Sequence, residues 1–295
     1  MNDSTSALTW EVFTSEPLQT LGDAPPPGQQ YRIWPPISST LIAGADNAVL
    51  VDAPITIAQA DTLADRVAAT GKTLTDIYIT HGHPDHWFGA SILANRFPGI
   101  RVVALPAVVR QIRKYLTPDA LELWNQRFPG QVPSHHVIAA ELAGDSIELE
   151  GHELVPIALG HTDMDDTTCL HVPSLRLVAA GDAVYNGVYL QLRESSAASR
   201  QEWIAALDTI ESLHPGVVIA GHKKPGAVDD PRNIEETRAY IRAFEQALAE
   251  EDTAVDVYQA MISRYPDRLF PGALWASASE LKPARSGLGP CPGYK

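Results

Sequence analysis

A short apolar strand runs straight into a segment that holds three histidines and one aspartate within six positions. Residues 77–79 are Ile-Tyr-Ile, and the polar side chains that follow include His81, His83, Asp85 and His86. Imidazole nitrogens and carboxylate oxygens are ligands that zinc prefers in proteins. A turn after the strand can aim His81 and His83 to one side and Asp85 and His86 to the other. The segment therefore predicts a site for two metal ions, with a polar loop of buried, hydrogen-bonded histidines as the alternative.

The same arrangement, an apolar run followed by glycine and a ligand-type residue, occurs three more times along the chain. The ligand-type residues are His161, Asp182 and His222. A glycine before the ligand allows a sharp backbone turn and keeps the site open. A single histidine after a strand is more often structural. Together with the first segment, however, these positions bring the candidate metal ligands to seven.

The order of elements predicts an α/β fold. Residues 38–52 have the pattern of a β-hairpin, and the chain then repeats strands, helix and strand in two similar halves. This repetition favours two sheets packed face to face with helices outside. No linker divides the chain, so residues 1–281 are predicted to form one domain. Within it we expect a helical insertion at about 106–140 and C-terminal helices at about 231–265, followed by a flexible tail at 282–295.

The pattern His-x-His-x-Asp-His, followed by a lone His, a lone Asp and a lone His at strand ends, resembles the metallo-β-lactamase superfamily over residues 38–222. The resemblance implies a four-layer αβ/βα sandwich with a dinuclear site at one edge. By position, the implied metal ligands are His81, His83 and His161 for the first ion, Asp85, His86 and His222 for the second, and Asp182 for both. Asp52 matches an early aspartate that braces the metal loop rather than binding metal.

The resemblance also implies a cofactor of two zinc ions per chain, with iron or manganese as alternatives. Two such ions lower the pKa of a shared water, and the metal-bound hydroxide attacks a carbonyl or phosphoryl centre. Asp85 is expected to orient this nucleophile. No serine or cysteine nucleophile is needed, and the sequence contains no Gly-x-Ser-x-Gly motif.

Asp182 and Tyr185 narrow the expected activity. Zinc β-lactamases with a similar pattern have Cys or Ser near the position of Asp182, whereas glyoxalase II-type thioesterases, quorum-quenching lactonases and phosphodiesterases have Asp. Tyr185 resembles a lactonase tyrosine that contacts the substrate carbonyl, with packing on the sheet edge as the alternative. The sequence thus favours a hydrolase that opens a lactone or related ester of a small molecule. A thioesterase and a mononuclear iron persulfide dioxygenase-like oxidoreductase are the alternatives.

The net charge limits the partners that this chain is expected to bind. The sequence has 22 Lys and Arg against 36 Asp and Glu, a formal charge of −14. Because phosphate backbones and anionic lipids require a basic face, neither nucleic acid nor a membrane is an expected partner. The first residues lack a signal-peptide pattern and the chain has two cysteines, so a cytoplasmic location is expected. The same charge favours a small neutral or weakly charged substrate.

Three further regions have alternative interpretations. Residues 106–140 carry large apolar side chains that could cover the metal site as a lid, belong to the core, or form a homodimer contact. Asp163 and the two acids after it are expected in an exposed loop, with bracing of the metal ligands as the alternative. Lys223 and Lys224 are expected at the solvated surface, with pairing to a substrate carboxylate as the alternative.

Overall fold

The computed structural model describes residues 7–282, which form a mixed α/β structure. The predicted flexible tail, including Cys291, lies outside the described residues apart from Lys282. Cys169 is fully buried within a strand. None of the helices within residues 7–282 is long and apolar enough to span a bilayer.

Residues 7–282 contain fifteen strands and eight α-helices. The strands are β1 (Thr9–Thr14), β2 (Leu18–Thr20), β3 (Arg32–Trp34), β4 (Ser38–Ala43), β5 (Asn47–Val51), β6 (Thr73–Tyr78), β7 (Arg101–Ala104), β8 (Ala140–Glu141), β9 (Ile147–Leu149), β10 (His152–Gly160), β11 (Thr167–Val172), β12 (Leu177–Ala179), β13 (Tyr185–Asn186), β14 (Val217–Ile219) and β15 (His222–Lys223). The helices are α1 (Ile57–Ala69), α2 (Ala90–Arg96), α3 (Pro106–Lys114), α4 (Pro118–Arg127), α5 (Ala197–Ser212), α6 (Arg232–Glu250), α7 (Ala254–Arg264) and α8 (Gly272–Leu281). Short 3₁₀ turns lie at Pro84–His86, Pro173–Leu175 and Gly181–Ala183.

Two main sheets form the centre of the molecule. The first has six strands in the order β1-β4-β5-β6-β7-β8, and the second has five in the order β14-β12-β11-β10-β9. From β5 to β8 neighbouring strands are parallel, and the crossovers that parallel pairing requires contain α1 to α4. A small ribbon of β13 and β15 pairs Tyr185 with His222.

Three apolar clusters define four layers. One lies between the first sheet and α1 to α4, and another between the second sheet and α5 to α8. The third lies between the two sheets, where residues such as Val49 and Tyr78 face Leu170 and Leu177. Strand β4 is buried along its whole length, as expected for a strand covered on both faces. The predicted αβ/βα sandwich is therefore confirmed.

Most predicted elements are present, with ends shifted by a few residues. The hairpin consists of β4 and β5, and α1 begins after Thr56, whose hydroxyl accepts a hydrogen bond from the Gln59 N–H. Helices α3 and α4 lie within residues 106–140, and α6 and α7 within residues 231–265. The sequence pattern missed α8, the two-residue strands β8, β13 and β15, and the three strands β1 to β3. The three strands are short and half-exposed, and α8 is rich in small residues, so neither has a clear apolar period.

The candidate ligands lie just beyond the ends of strands from both sheets. Strand β6 leads to His81, β10 to His161, β12 to Asp182, and β14 to His222. Asp182 and His222 are brought together by the parallel pairing of β12 with β14. The site is thus formed at a shared edge of the sandwich, by segments that are far apart in sequence.

Two of the glycines that precede these ligands are required by close packing. A β-carbon on Gly221 would collide with the Asp182 carboxylate. Gly181 has a φ of +53°, and a β-carbon there would lie 2.6 Å from the Thr80 hydroxyl oxygen. Glycine therefore allows the turns after β12 and β14 to approach each other and the metal loop.

Candidate metal centre

The structure brings six of the seven predicted ligands into two groups, together with one residue that was not predicted as a ligand. In each group, one nitrogen or oxygen from every residue lies within 4.8 Å of the others. The first group is His81, His83, Asp163 and Asp182, and the second is Asp85, His86 and His222. A further set, Asp52, His81 and His86, meets the same distance limit but shares its histidines with these two groups. Asp182 also reaches the second group, since its carboxylate oxygens lie 3.2 Å from His86 Nε2 and 3.3 Å from His222 Nε2. His161 belongs to neither group.

All five predicted histidine ligands have one ring nitrogen held by a partner outside the groups. The contacts are His81 Nδ1 to Thr80 Oγ1 (3.0 Å), His83 Nε2 to Glu194 Oε1 (3.4 Å), His86 Nδ1 to Asp52 Oδ2 (2.8 Å), His161 Nδ1 to Asp165 Oδ1 (2.7 Å) and His222 Nδ1 to the Pro36 carbonyl (2.9 Å). Such outer partners fix the orientation and tautomer of metal-binding imidazoles. Each ring thus has its second nitrogen available for a ligand.

The inner atoms of the site are buried, and among the described residues several contact at most another candidate ligand, as Asp163 Oδ2 contacts His83 Nδ1 and Asp182 Oδ1 contacts His86 Nε2. These atoms are His81 Nε2, His86 Nε2, His161 Nε2, Asp163 Oδ2 and Asp182 Oδ1. Burial of a polar atom without a partner is costly and uncommon in folded proteins. Bound cations would neutralise and coordinate such atoms, and their nitrogen and carboxylate chemistry suits zinc. The residues present therefore fit a metal centre.

Asp163 corrects a prediction from the sequence. It was expected in an exposed loop, but its side chain is fully buried. Its Oδ1 accepts a hydrogen bond from Thr162 Oγ1 at 3.0 Å, and its Oδ2 lies 2.7 Å from His83 Nδ1. The Thr162 N–H donates to the Met164 carbonyl, so the chain turns tightly and aims Asp163 inward. Asp165 keeps an exposed side chain and contacts His161. An acidic sequence alone does not reveal this turn.

Asp52 braces the metal loop, as the resemblance implies. Its Oδ2 lies 2.8 Å from His86 Nδ1 and accepts a hydrogen bond from Thr80 Oγ1 at 2.7 Å. Its Oδ1 accepts a hydrogen bond from the Thr80 N–H at 2.8 Å. Asp52 has a φ of 60°, in the left-handed region that is unfavourable for residues other than glycine. This strained backbone points the carboxylate at the segment that carries His86.

Two aromatic residues donate hydrogen bonds to the carboxylates of the site. Trp34 Nε1 donates to Asp85 Oδ2 at 2.8 Å. The Tyr185 hydroxyl donates to Asp182 Oδ2 at 2.8 Å, and its ring stacks on His222. Sequence reasoning missed Trp34 because it lies 51 positions before Asp85 and belongs to no local pattern. It singled out Tyr185, but not its contact with Asp182.

Burial and the nearby carboxylates shift the pKa values of the histidines. Burial lowers the pKa of His222, but Asp182 and Asp85 together outweigh burial and raise it to about 10. Burial opposes protonation of His83 as well, yet Asp163 holds the pKa of His83 well above its usual value. At His81, burial dominates and lowers the pKa. The site therefore attracts positive charge, which a metal ion would supply in place of protons.

A cavity of about 160 Å³ opens beside the two groups. Four residues of the metal groups line this cavity, namely His83, Asp85, Asp182 and His222. Tyr185 also lines it, and the insertion contributes Tyr115, Leu123, Trp124 and Arg127. Residues of the insertion thus form one wall of the cavity, although Trp124 also packs into the core beneath α4.

Comparison with known proteins agrees with this geometry. A model of the metallo-beta-lactamase superfamily matches residues 32–222. A metallo-beta-lactamase family protein from Thermus thermophilus is similar in structure, with a TM-score of 0.60, 20% identity, and coverage of 92% of this chain and 91% of that one. The DIM-1 metallo-beta-lactamase exposed to ceftazidime has a TM-score of 0.56 and 17% identity, with coverage of 81% of this chain and 99% of that one. A metallo-beta-lactamase from Pontibacter korlensis has a TM-score of 0.51 and 17% identity, with coverage of 79% of this chain and 99% of that one.

At these low identities the structural likeness concerns the fold, whereas the superfamily model covers most of the chain and the segments that carry both metal groups. The chain therefore belongs to the metallo-β-lactamase superfamily, as a metal-dependent hydrolase.

Proposed function

We propose that the protein is a dinuclear zinc hydrolase that opens a lactone or a related carboxylic ester of a small molecule. The observation that carries this proposal is the pair of buried ligand groups joined by Asp182. A mononuclear iron enzyme has no need of the second group, formed by Asp85, His86 and His222. Two complete groups therefore favour two ions and hydrolysis over the dioxygenase-like alternative.

The proposed ligands follow from the two groups and from His161. The first ion would be held by His81, His83 and His161 with Asp163 as a further carboxylate, and the second by Asp85, His86 and His222, with Asp182 between them. Although His161 stands outside the first group, its Nε2 is buried and has no hydrogen-bond partner in the described chain. Ions in such a site supply an activated water at neutral pH and polarise the carbonyl oxygen of the substrate.

Asp85 is the residue that we propose to orient the attacking water. Burial raises the pKa of Asp85, but His86 and His222 more than offset burial and keep the carboxyl ionised. Trp34 holds one carboxylate oxygen through its indole N–H. An ionised carboxylate in a fixed position can accept a hydrogen bond from water and so direct the oxygen lone pair toward the carbonyl carbon.

Tyr185 is the residue that we propose to assist the substrate oxygen. Burial and the neighbouring Asp182 raise its pKa well above the usual value, so the phenol keeps its proton. Tyr185 lines the cavity, and its hydroxyl donates to Asp182. Because a phenol has one O–H, assistance to a leaving oxygen requires this hydroxyl to rotate away from Asp182.

A hydrolysis screen tests the proposed function. Zinc-loaded protein would be assayed against lactones, carboxylic esters, thioesters, β-lactams and phosphodiesters at matched concentrations. We expect lactones or carboxylic esters to give the highest kcat/KM, and a chelator to abolish their hydrolysis. Fastest turnover of a thioester, a β-lactam or a phosphodiester would contradict the proposal.

A further inference from the structure

Three arginines lie together at the cavity beside the metal groups. Arg32 is in β3, Arg127 ends α4, and Arg193 follows β13. Arg32 and Arg127 are only 8% and 9% exposed, and Arg193 is half-buried. Arginine is seldom buried to this degree without an anionic partner. Glu194 also lines the cavity, but its carboxylate lies 3.4 Å from His83 Nε2. The cavity thus joins a carboxylate-rich metal site to a wall that carries three guanidinium groups.

The carboxylate of Asp23 does not occupy all the hydrogen-bond donors of Arg32 and Arg127. Asp23 Oδ1 accepts hydrogen bonds from Arg127 Nε and Nη2 at 3.2 Å and 3.1 Å, and it lies 3.5 Å from Arg32 Nη1. The 3.5 Å contact with Asp23 is the ion pair that Arg32 makes within residues 7–282. A guanidinium has five N–H donors, so this one contact does not occupy them all. Burial lowers the pKa of Arg32, Asp23 opposes this, and the charges of Arg127 and Arg193 lower it further. Two guanidinium groups share one carboxylate, which leaves an excess positive charge.

Trp34 contacts both the metal groups and two of the arginines. Its indole N–H donates to Asp85 Oδ2, while its ring centroid lies 5.4 Å from Arg32 Cζ and 5.7 Å from Arg127 Cζ. The stem of Arg32 is fixed against α8, since a β-carbon on Gly272 would lie 2.8 Å from Arg32 Cγ. Arg32 and Arg127 therefore lie against the same indole ring whose N–H contacts Asp85.

The two lysines that follow His222 do not provide this charge. Lys223 is buried, and its ammonium donates to both carboxylate oxygens of Asp229, at 2.8 Å and 2.9 Å. Neither Lys223 nor Lys224 lines the cavity. A negatively charged group that enters the cavity would thus meet the arginines.

We propose that Arg32, Arg127 and Arg193 form a subsite for a carboxylate of the substrate. Guanidinium groups present paired N–H donors that match the two oxygens of a carboxylate. The inference rests on the proposed function and deepens it: the substrate is a small ester or lactone that carries a free carboxylate at the end remote from the bond that breaks. The formal charge of −14 favoured a neutral or weakly charged substrate, but the local charge of the cavity decides which groups can bind.

Two matched esters test the proposed subsite. The para-nitrophenyl monoester of glutaric acid ends in a carboxylate, whereas the para-nitrophenyl ester of pentanoic acid ends in a methyl group at the same position. We expect the zinc-loaded protein to prefer the glutarate monoester by about tenfold or more in kcat/KM. Arg193→Gln should reduce this preference roughly tenfold, mainly through KM. Arg242→Gln, at an exposed position of α6, is the matched control and should leave the preference unchanged.

A binding measurement separates this inference from the proposed function. Binding of glutarate and of pentanoate would be followed through the fluorescence of Trp34 and Trp124, whose rings lie against Arg127. Both acids have one carboxylate for the metal site, but glutarate has a second one. If neither ester is hydrolysed and glutarate still binds more tightly than pentanoate in an Arg193-dependent way, the ester function fails and the subsite stands. Equal kcat/KM for the two esters, or glutarate binding that Arg193→Gln does not weaken, would overturn the proposal.

Discussion

The metal groups and the opposite wall of the cavity are neighbours, but they are built in different ways. The ligand side chains extend from strand ends of two sheets, are almost entirely buried, and include four imidazoles that each have an outer partner. The wall comes largely from a helical insertion, where Tyr115 is half-buried and Leu123 is 45% exposed. A rigid sheet edge suits chemistry that requires fixed geometry, whereas an exposed helical segment can vary and select substrates. Changes in the first region should therefore affect metal and kcat, and changes in the second should affect KM.

Asp182→Ala should have the largest effect of any single change. Asp182 contacts His86 and His222 and also belongs to the first group, so its loss disrupts both ligand groups. We expect loss of bound metal, measured by elemental analysis, and loss of detectable hydrolysis. Asp61→Ala, at an exposed position of α1, is the control and should retain both. Full metal content and activity in Asp182→Ala would show that Asp182 does not join the two groups.

Metal affinity should rise with pH. In the metal-stripped protein the pKa of His222 is raised from 6.5 to about 10, so binding must displace its proton. We expect affinity to fall about tenfold per pH unit for each proton released as the pH is lowered through this range. The stability of the stripped protein should change with pH in the opposite direction from metal affinity. The contribution of protonated His222 is fully present below pH 6.5 and is lost as the pH rises toward about 10.

Competition titrations with a zinc chelator at several pH values, combined with denaturation of the stripped protein, measure both trends. An affinity that is independent of pH between 6.5 and about 10 would contradict protonation of His222 in the stripped protein.

Asp163→Asn should weaken metal binding at the first group. Asp163 is fully buried, and one of its oxygens lies 2.7 Å from His83 Nδ1. Loss of its charge should lower zinc affinity about 10- to 100-fold. Asp145→Asn, in an exposed loop, is the matched control. Equal zinc affinity in the two variants would show that Asp163 serves the fold rather than the metal.

Tyr185→Phe should lower kcat while metal content is retained. The substitution removes a hydroxyl that donates to Asp182 but keeps the ring that stacks on His222. We expect a loss in kcat of about 10- to 100-fold on lactones. Tyr31→Phe, at an exposed position, should have no effect. An unchanged kcat for Tyr185→Phe would mean that the ring packs at the site without assisting the reaction.

Leu123→Ala should have the smallest effect, confined to KM. Leu123 is 45% exposed at the cavity beside the metal groups, and Leu21 is 48% exposed at a separate cavity of about 560 Å³. Because both side chains are exposed, neither substitution should change stability by more than about 0.5 kcal/mol. We expect a several-fold rise in KM for Leu123→Ala and none for Leu21→Ala. A rise for Leu21→Ala alone would assign substrate binding to the larger cavity.

The sequence predicted those parts of the site that a local pattern encodes. The segment from His81 to His86 directly follows a buried strand, so its ligand character and its place at a strand end can both be predicted. The glycines before Asp182 and His222 extend the same logic to the second sheet, whereas His161, which also follows a glycine, lies outside both ligand groups. The alternating order of strands and helices likewise predicted the sandwich.

The parts that the sequence did not predict depend on contacts between distant segments. Trp34 meets Asp85 only because β3 folds beside the metal loop. Arg32 and Arg127 converge on Asp23 although 95 residues separate them, and no spacing rule encodes such a meeting. Asp163 was misplaced because an acidic loop is usually solvated, and the tight turn that buries this residue is a property of the backbone.

The metal content of the purified protein tests the central claim most directly. After loading with zinc and removal of excess metal, elemental analysis should find about two zinc ions per chain, and ester hydrolysis should be lost on chelation and restored by zinc. One iron ion per chain without hydrolytic activity, or ester hydrolysis that survives complete removal of metal, would contradict a dinuclear hydrolase built on these two ligand groups.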